Sequence, residues 1–408
     1  MSPLHTLRAH LAARIRAPGT NPAAAATTSR APATQPAEIA ATIDRALSAA
    51  GISAGGQHAD LRSTIDRALA QAGLLAADGS GVAFRAADAP GRSSAASFTA
   101  AAGPATARTS VALDPLPPTR PAMQDCKTTT AGAGRRYRLY VPSALASADA
   151  PEAPLVVMLH GCTQDPEDFA AGTRMNTLAD AHGFIVAWPE QPARDNGSRC
   201  WNWFRPGDQQ RGRGEPAQLV AIVEDIAAMH RVDRARVYVA GLSAGAAMAV
   251  ILGQTYPDVF AAVGAHSGLP HGAASDVASA FAAMQGRSNA ATPRGTSAVP
   301  TIVFQGDADR TVHMGNANTI AGAAIAAHGG AALPVTAATG SVPGGRRYAS
   351  SVASDDAGRP LVAQWTVHGA GHAWAGGAAA GSYTDPEGPD ASAEMVRFFM
   401  RQRRAAAA

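Results

Sequence analysis

The chain has 408 residues, of which 46% are hydrophobic and 16% are charged, and this composition excludes a wholly disordered or collagen-like protein. Its mean hydropathy is −0.05 and no apolar run approaches the roughly 18 residues that cross a bilayer, so we expect no membrane span. The formal net charge is +3, and no basic cluster alternates with aromatic side chains, so we expect no nucleic-acid partner.

The N-terminal part of the chain is poor in large side chains, since Phe84 and Phe98 are the only aromatic residues before residue 121. A Thr-Ile-Asp-Arg-Ala-Leu motif occurs at 42–47 and again at 64–69, and the apolar pair in each copy predicts a short helix. We therefore expect an arm with two short helical repeats over 1–85, either a weakly ordered hairpin or a docking element, and a disordered linker over 86–124. No signal-peptide core follows Met1, which favours the cytoplasm by default.

From about residue 135 short apolar runs alternate with helix-forming stretches. Such runs are typical of strands that are buried on both faces of a sheet. The alternation predicts an α/β domain over 125–403, with a mostly parallel central sheet and helices on both faces, followed by a disordered tail over 404–408. The predicted strands lie at 137–141, 155–159, 184–188, 237–240, 260–264 and 301–304, and two of the predicted helices at 218–229 and 244–256.

A Gly-x-Ser-x-Gly pattern occurs at 51–55 and at 241–245, but only the second copy lies between a predicted strand and a predicted helix. A serine in this context sits on a sharp turn that exposes its hydroxyl at the carboxyl edge of a sheet. We therefore predict that Ser243 is a nucleophile, with a helix N-cap serine as the alternative. The copy at 51–55 is interpreted as a chance match.

A nucleophilic serine needs a base and an acid that orients it, and in this topology the acid and then the base follow the serine along the chain. Asp309 lies past the end of the strand at 301–304 and is the predicted acid, whereas Asp307 is interpreted as a turn residue. His372 lies in a glycine-rich loop after a predicted strand at 361–367 and is the predicted base. His368 is interpreted as a strand-end residue, and His313 and His328 as surface residues.

Two backbone N–H groups are needed to bind the oxyanion that forms during acyl transfer. We predict that one comes from Ala244 and the other from Cys162, in the loop that follows the strand at 155–159. His160 precedes Cys162 and is interpreted as a residue that stabilises this loop. The sequence has no Cys-x-x-Cys and no His-Glu-x-x-His motif, so we expect no metal and no cofactor.

Several sequence blocks surround these residues in a fixed order. They are His-Gly-Cys-Thr-Gln at 160–164, Cys-Trp-Asn-Trp at 200–203, Gly-Glu-Pro-Ala at 214–217, Gly-Leu-Ser-Ala-Gly at 241–245, Gly-His-Ala-Trp at 371–374, Ser-Tyr-Thr-Asp-Pro at 382–386 and Gly-Pro-Asp-Ala at 388–391. With them the region from about 125 to 403 resembles the polyhydroxybutyrate (PHB) depolymerase family of esterases. That family belongs to the α/β-hydrolases and is similar to feruloyl and acetylxylan esterases.

The resemblance implies serine-dependent hydrolysis of carboxylic esters, with Ser243, Asp309 and His372 as the catalytic triad. The expected substrates are short hydroxyacyl esters or 3-hydroxybutyrate oligomers, with feruloyl or acetylxylan esters as the alternative. A peptidase of the same fold and a non-catalytic binding protein are further alternatives. Members of the family are often extracellular, and they usually carry His where this chain has Gln305, a change that we expect to be tolerated. The sequence does not indicate an oligomeric state.

The resemblance also places Cys162 and Cys200 in blocks near the expected site. The two cysteines are expected either to form a disulfide that braces the oxyanion loop or to remain as two buried thiols.

Three tryptophans from the same blocks, Trp201, Trp203 and Trp374, are expected to line an acyl pocket or to be ordinary core residues. Gln164 is grouped with them as a candidate substrate contact. The stretch 272–298, between the nucleophile and the acid, is a candidate rim of the site.

Overall fold

The computed structural model describes residues 126–131, 134–147, 149–287 and 298–405. The predicted arm at 1–85, the predicted linker at 86–124 and the first Gly-x-Ser-x-Gly copy lie outside these residues. Arg404 was assigned to the tail from the sequence, but its N–H donates to the carbonyl of Ala235 at 2.9 Å, so the packed chain continues through that residue. No helix in the described ranges is long and apolar enough to cross a membrane.

One large sheet organises the described residues. Its ten strands lie in the order β1-β2-β4-β3-β5-β6-β7-β10-β9-β8, and a separate parallel pair is formed by β11 and β12. The strands are β1 Cys126–Ala131, β2 Arg135–Tyr140, β3 Ala153–Leu159, β4 Ile185–Pro189, β5 Val232–Leu242, β6 Ala262–His266, β7 Thr301–Gly306, β8 Val335–Ser341, β9 Arg347–Ser354, β10 Pro360–Val367, β11 Trp374–Ala375 and β12 Thr384–Asp385.

The centre of the large sheet is parallel, as the sequence predicted. Strands β4, β3, β5, β6, β7 and β10 run in one direction, and antiparallel strands extend both edges. Each predicted strand overlaps an observed one. The run predicted at 260–264 is displaced to Ala262–His266 because the N–H of Phe260 donates to Tyr256 and closes the turn after the preceding helix.

Seven α-helices of the described residues cover the two faces of the sheet. They are α1 Pro166–Thr173, α2 Met175–His182, α3 Gly214–Met229, α4 Ala244–Thr255, α5 Val277–Met284, α6 Gly315–Ala327 and α7 Ala391–Phe399. Buried residues of α3, α4, α5 and α6 belong to one hydrophobic cluster, and those of α1, α2 and α7 belong to another. The sheet is therefore sandwiched between two helical layers.

The alternation of side chains along β3 explains why its sequence is apolar throughout. Leu155, Val157 and Leu159 point into the first cluster, whereas Val156 and Met158 point into the second. A strand that contributes to two cores has no solvent face, so it shows no polar alternation. The carboxyl ends of the parallel strands all meet at one edge of the sheet, and the loops that leave this edge carry the predicted site residues.

Two glycines in helices provide a direct test of how tightly this edge is packed. A Cβ at Gly245, in the first turn of α4, would lie 2.1 Å from the carbonyl oxygen of Leu159, whereas a Cβ at Gly322 in α6 meets nothing within 4 Å. We expect Gly245→Ala to lower the free energy of unfolding by about 1–3 kcal/mol because backbone atoms must move apart. Gly322→Ala should raise it by up to about 1 kcal/mol through helix propensity. Urea unfolding of both variants measures the difference, and equal stabilities would contradict the proposed close packing.

Candidate active site

Ser243 lies on a strained turn between β5 and α4. Its backbone has φ 57° and ψ −119°, a left-handed region that non-glycine residues rarely adopt. A Cβ at Gly241 would lie 2.4 Å from the backbone of Gly245, and Gly245 itself packs against Leu159 at the end of β3. Both glycines are therefore required for the turn to close. A sharp turn of this kind directs the side chain of its serine away from the preceding strand and the following helix.

Asp309 follows β7 and is the most strongly hydrogen-bonded carboxylate at this edge. Its Oδ1 accepts from the N–H groups of Thr311 at 2.8 Å and Val312 at 2.9 Å, and its Oδ2 accepts from Gln305 Nε2 at 2.9 Å. The same Oδ2 lies 2.7 Å from His372 Nδ1. Burial raises the pKa of Asp309, but the contacts with His372 and the two amides outweigh burial and hold the pKa below its ordinary value.

His372 lies in the loop between β10 and β11, where its imidazole is mostly buried. With Nδ1 directed at the Asp309 carboxylate, the proton resides on Nδ1 and Nε2 is the basic nitrogen. The structure thus brings the predicted acid and base together. In the described residues Ser243 makes no side-chain hydrogen bond to His372, an arrangement seen in enzymes without substrate, where catalytic hydrogen bonds are often long.

His266, the last residue of β6, connects Ser243 to the loop between β10 and β11 that carries His372, here called the histidine loop, and was not singled out by the sequence. Its carbonyl accepts from the N–H of Ser243 at 2.9 Å, and its Nε2 accepts from the N–H of Ala375 at 3.0 Å. The ring stacks against Trp374, with centroids 5.2 Å apart. Because Nε2 is an acceptor, the proton lies on Nδ1, which is 3.2 Å from Ser267 Oγ.

The buried position keeps the His266 imidazole neutral. Burial, together with the nearby His372, lowers the pKa of His266 to about 3, while Asp309 acts in the opposite direction. A neutral ring can keep its Nε2 lone pair for the Ala375 amide, so the hydrogen bond persists at neutral pH. A histidine at the end of an apolar strand gave no sequence signal that distinguishes it from a core residue.

The loop after β3 presents the predicted oxyanion donor. The N–H of Thr163 donates to Ser198 at 2.7 Å, and the N–H of Gly161 donates to Gln164 Oε1 at 2.9 Å. Between them, the N–H of Cys162 has no acceptor among the described residues. Ala244 is the first residue of α4, where a backbone N–H has no partner within its helix.

A disulfide joins Cys162 to Cys200, with a Cα separation of 4.2 Å. Of the two expected states of these cysteines, the structure therefore has the linked one. The neighbouring residue Trp201 donates from Nε1 to the carbonyl of His160 at 3.1 Å. The loop after β3 is thus attached to the segment around Cys200 by one covalent bond and one hydrogen bond.

His160 is buried, and each of its ring nitrogens contacts a backbone group. Its Nδ1 lies 2.8 Å from the carbonyl of Gly161, and its Nε2 accepts from the N–H of Gln191 at 3.1 Å. Burial lowers the pKa of His160 below its ordinary value. These contacts fit the interpretation of His160 as a loop-stabilising residue.

A buried polar network supports the segment around Cys200 through its neighbour Asn202. Glu215, at the start of α3, accepts from the N–H of Asn202 at 2.8 Å and from Gln191 Nε2 at 2.6 Å. Arg135 donates to Gln191 Oε1 at 2.5 Å and lies 3.9 Å from Glu215. Burial raises the pKa of Glu215, and the positive charge of Arg135 opposes that rise. The Gly-Glu-Pro-Ala block was noticed in the sequence, but the role of its glutamate was not.

The candidate substrate contacts Trp201, Trp203, Trp374 and Gln164 are all buried, which favours the core alternative for the three tryptophans. Trp374 Nε1 donates to Ser392 Oγ at 3.0 Å, and Trp201 Nε1 donates to the His160 carbonyl in the loop after β3. Gln164 Nε2 donates to Asp168, within the fold. The polar atoms of Trp201, Trp374 and Gln164 are hydrogen-bonded inside the protein, and all four residues present almost no surface to a ligand.

A second aspartate–histidine contact lies beside the first. Asp307 Oδ2 is 2.8 Å from His368 Nδ1, and Asp307 Oδ1 accepts from the N–H of Gly369 at 2.6 Å. The His368 side chain is 39% exposed, compared with 12% for His372. Asp307 therefore fixes the loop before His372, a role beyond the turn residue that the sequence suggested.

The candidate rim at 272–298 is described in part. It contains α5, whose last residue, Met284, accepts from the N–H of His313, and residues 288–297 lie outside the described ranges. Within the described ranges, no group of three or more histidine, cysteine, aspartate or glutamate residues is arranged to hold a metal ion.

Known proteins resemble this chain in both sequence and structure. A family model described as Esterase PHB depolymerase matches residues 135–341. Poly(3-hydroxyalkanoate) depolymerase C from Paucimonas lemoignei is 36% identical over 250 residues, covering 57% of this chain and 57% of that relative. Feruloyl esterase B from Neurospora crassa is 38% identical over 146 residues, covering 36% of this chain and 48% of that relative. The chain thus spans about half the length of these curated relatives.

Among solved structures, acetyl xylan esterase from Aspergillus awamori matches with a TM-score of 0.54 and 20% sequence identity. The match covers 68% of this chain and 99% of that one. This similarity shows the shared α/β-hydrolase fold, as the sequence predicted.

The buried neutral His266 predicts acid sensitivity. Its pKa in the folded protein is about 3, below the ordinary 6.5, so stability that is present above pH 6.5 is lost as the pH falls toward 3. We expect His266→Gln, which keeps an acceptor for Ala375, to flatten the pH dependence by up to about 1.4 kcal/mol per pH unit. Urea unfolding of both proteins at pH 7, 6, 5 and 4 measures this. Parallel curves for the variant and the wild type would contradict it.

The disulfide should contribute measurably to stability. It links residues 38 apart in sequence, and a crosslink of this span stabilises by about 3–4 kcal/mol through the unfolded chain. We expect the double variant Cys162→Ser and Cys200→Ser to unfold at correspondingly lower urea concentration. A reductant should destabilise the wild type and leave the double variant unchanged. A wild type insensitive to the reductant, with free thiols confirmed by titration, would contradict the expectation.

Proposed function

The chain belongs to the Esterase PHB depolymerase family, and from this membership we propose that it hydrolyses carboxylic esters through a covalent acyl-enzyme on Ser243. The observation that carries the proposal is the 2.7 Å contact between Asp309 Oδ2 and His372 Nδ1 at the sheet edge where the strained Ser243 turn lies. A carboxylate that orients an imidazole, at the edge of the sheet that also carries a serine on a strained turn, has the composition of an acyl-transfer site.

In the first half of the proposed reaction, His372 Nε2 takes the proton from Ser243 Oγ as Oγ attacks the ester carbonyl carbon. The carbonyl electrons move to its oxygen, and the N–H groups of Cys162 and Ala244 donate hydrogen bonds to this oxyanion. The tetrahedral intermediate then breaks its bond to the alcohol oxygen. The leaving alcohol takes the proton from His372, and the acyl group remains on Ser243.

In the second half, water replaces the alcohol. His372 removes a proton from the water as its oxygen attacks the acyl carbon, and a second tetrahedral intermediate forms in the same oxyanion site. When the bond to Ser243 Oγ breaks, the serine regains its proton from His372 and the carboxylic acid leaves. Asp309 remains ionised throughout and stabilises the imidazolium in both halves, consistent with its lowered pKa.

We propose short hydroxyacyl esters or soluble 3-hydroxybutyrate oligomers as the substrates. The depolymerase from Paucimonas lemoignei, which aligns over more of this chain than the feruloyl esterase does, supports this class. Feruloyl or acetyl sugar esters are the second candidate, favoured by the similarity to feruloyl esterase B from Neurospora crassa. The two candidates share the reaction and differ in the group beside the carbonyl.

The nucleophile is tested with initial rates on p-nitrophenyl acetate, methyl ferulate and soluble 3-hydroxybutyrate oligomers. We expect Ser243→Ala to lower kcat by roughly 10⁴-fold or more on every substrate that the wild type hydrolyses, because no alternative nucleophile can carry the acyl group. Oligomer turnover supports the first substrate class, and preference for ferulate supports the second. Undiminished turnover by Ser243→Ala would refute the proposed mechanism.

The two aspartates at the end of β7 form a matched pair for testing the acid. Asp309→Asn should lower kcat by roughly 10³- to 10⁴-fold, because an amide favours the wrong imidazole tautomer. Asp307→Asn removes the charge beside His368 and should change kcat by less than about 10-fold, since His368 takes no part in the proposed reaction. A reversed order of these effects would reassign the acid to Asp307.

A further inference from the structure

Tyr383 is an unusual residue for the edge where the proposed triad lies. Its side chain is 46% exposed, and it is one of five large hydrophobic side chains of the described residues that are exposed. Its φ is 51°, in the left-handed region that is unfavourable for an aromatic residue. Strained backbone of this kind persists only where the surrounding structure fixes it, and it often occurs at ligand sites.

The contacts of Tyr383 place it between the two loops that serve the proposed reaction. Its hydroxyl lies 3.1 Å from Thr163 Oγ1, on the residue that follows Cys162 in the loop after β3. Its carbonyl accepts from the N–H of Trp374 at 2.7 Å, two residues after His372. Tyr383 therefore bridges the loop after β3 and the histidine loop.

The backbone beneath Tyr383 is held in place by its neighbour. The N–H of Ser382 donates to Asp168 Oδ1 at 2.8 Å, and the carbonyl of Ser382 accepts from Gln164 Nε2 at 3.1 Å. Gly381, the residue before Ser382, packs closely on Gly172: a Cβ at Gly381 would lie 2.5 Å from the backbone atoms of Gly172. The segment is thus rigid, while the aromatic ring that it carries remains open to solvent.

The tyrosine side chain combines a polar tip with a large apolar face. Here the tip is bound to Thr163, and 46% of the residue surface remains exposed. Such a face, preorganised beside an ester-binding site, can pack on a substrate chain without losing conformational freedom.

We propose that Tyr383 is a specificity-determining substrate contact, whose ring packs on the part of the ester that extends from the scissile bond past Thr163. This inference rests on the proposed function. It predicts a preference for esters with an extended acyl or alcohol chain over acetate and methyl esters. The hydroxyl contact with Thr163 sets the orientation of the ring.

The test uses two ester series, one with increasing acyl length on a constant p-nitrophenyl group and one with increasing alcohol length on a constant butyryl group. We expect Tyr383→Ala to lower kcat/KM for the longest member relative to the shortest by roughly 10-fold in at least one series, mainly through KM. Tyr383→Phe keeps the ring and should retain most of the preference. The kcat/KM of the longest ester is divided by that of the shortest for the same protein sample. This ratio does not depend on what fraction of a variant is folded.

Two controls separate contact from tethering. Thr163→Val removes the contact with Tyr383, together with the hydrogen bond from Thr163 Oγ1 to the Cys162 carbonyl, but leaves the ring, so its ratio of long to short esters should match that of Tyr383→Phe. Met229→Ala shortens an exposed apolar side chain at the C-terminal end of α3 and should change neither ratio. If Tyr383→Ala slows short and long esters equally, or changes neither, the ring is not a substrate contact and the proposal is wrong. Inactivity of the wild type on every ester would instead refute the proposed function.

Discussion

The contact between the first turn of α4 and the last residues of β3 determines the geometry of the site. Gly245 lies against the carbonyl groups of Leu159 and His160, at a distance that leaves no room for a side chain. This contact fixes the position of Ser243 relative to the loop that begins at His160. Because two short segments of backbone touch directly, the candidate nucleophile Ser243 and the candidate oxyanion donor are held together without relying on flexible side chains.

Two groups of buried polar residues, on either side of Ser243, hold the loops that surround it. On one side, the backbone of His266 binds Ser243 and its ring binds the histidine loop. On the other side, Glu215 holds Asn202, close to the disulfide partner of Cys162. Buried polar groups that are fully hydrogen-bonded specify one arrangement, since any other would leave a partner unsatisfied. The loops of the site are thereby held by the interior of the protein.

The sequence predicted the sheet well because strands buried on both faces must be apolar along their whole length, as β3 is. The nucleophile, acid and base candidates could be found because each follows a recognisable strand. Tertiary partners are a different matter. Gln305 donates to Asp309, and His266 accepts from Ala375, which is distant in sequence. No local sequence pattern encodes either contact. The sequence left the tryptophans open between a pocket and the core for the same reason, since an aromatic motif does not reveal which side of a loop faces solvent.

The disulfide between Cys162 and Cys200 gives the biosynthetic environment a direct influence on the site. Disulfides form and persist in oxidising compartments, whereas the reducing systems of the cytosol keep cysteines as thiols. The covalently linked form described by the structure therefore forms and persists only under oxidising conditions. Material produced in a reducing host would carry a thiol next to the candidate oxyanion donor, so its activity would depend on the history of its preparation as well as on its sequence.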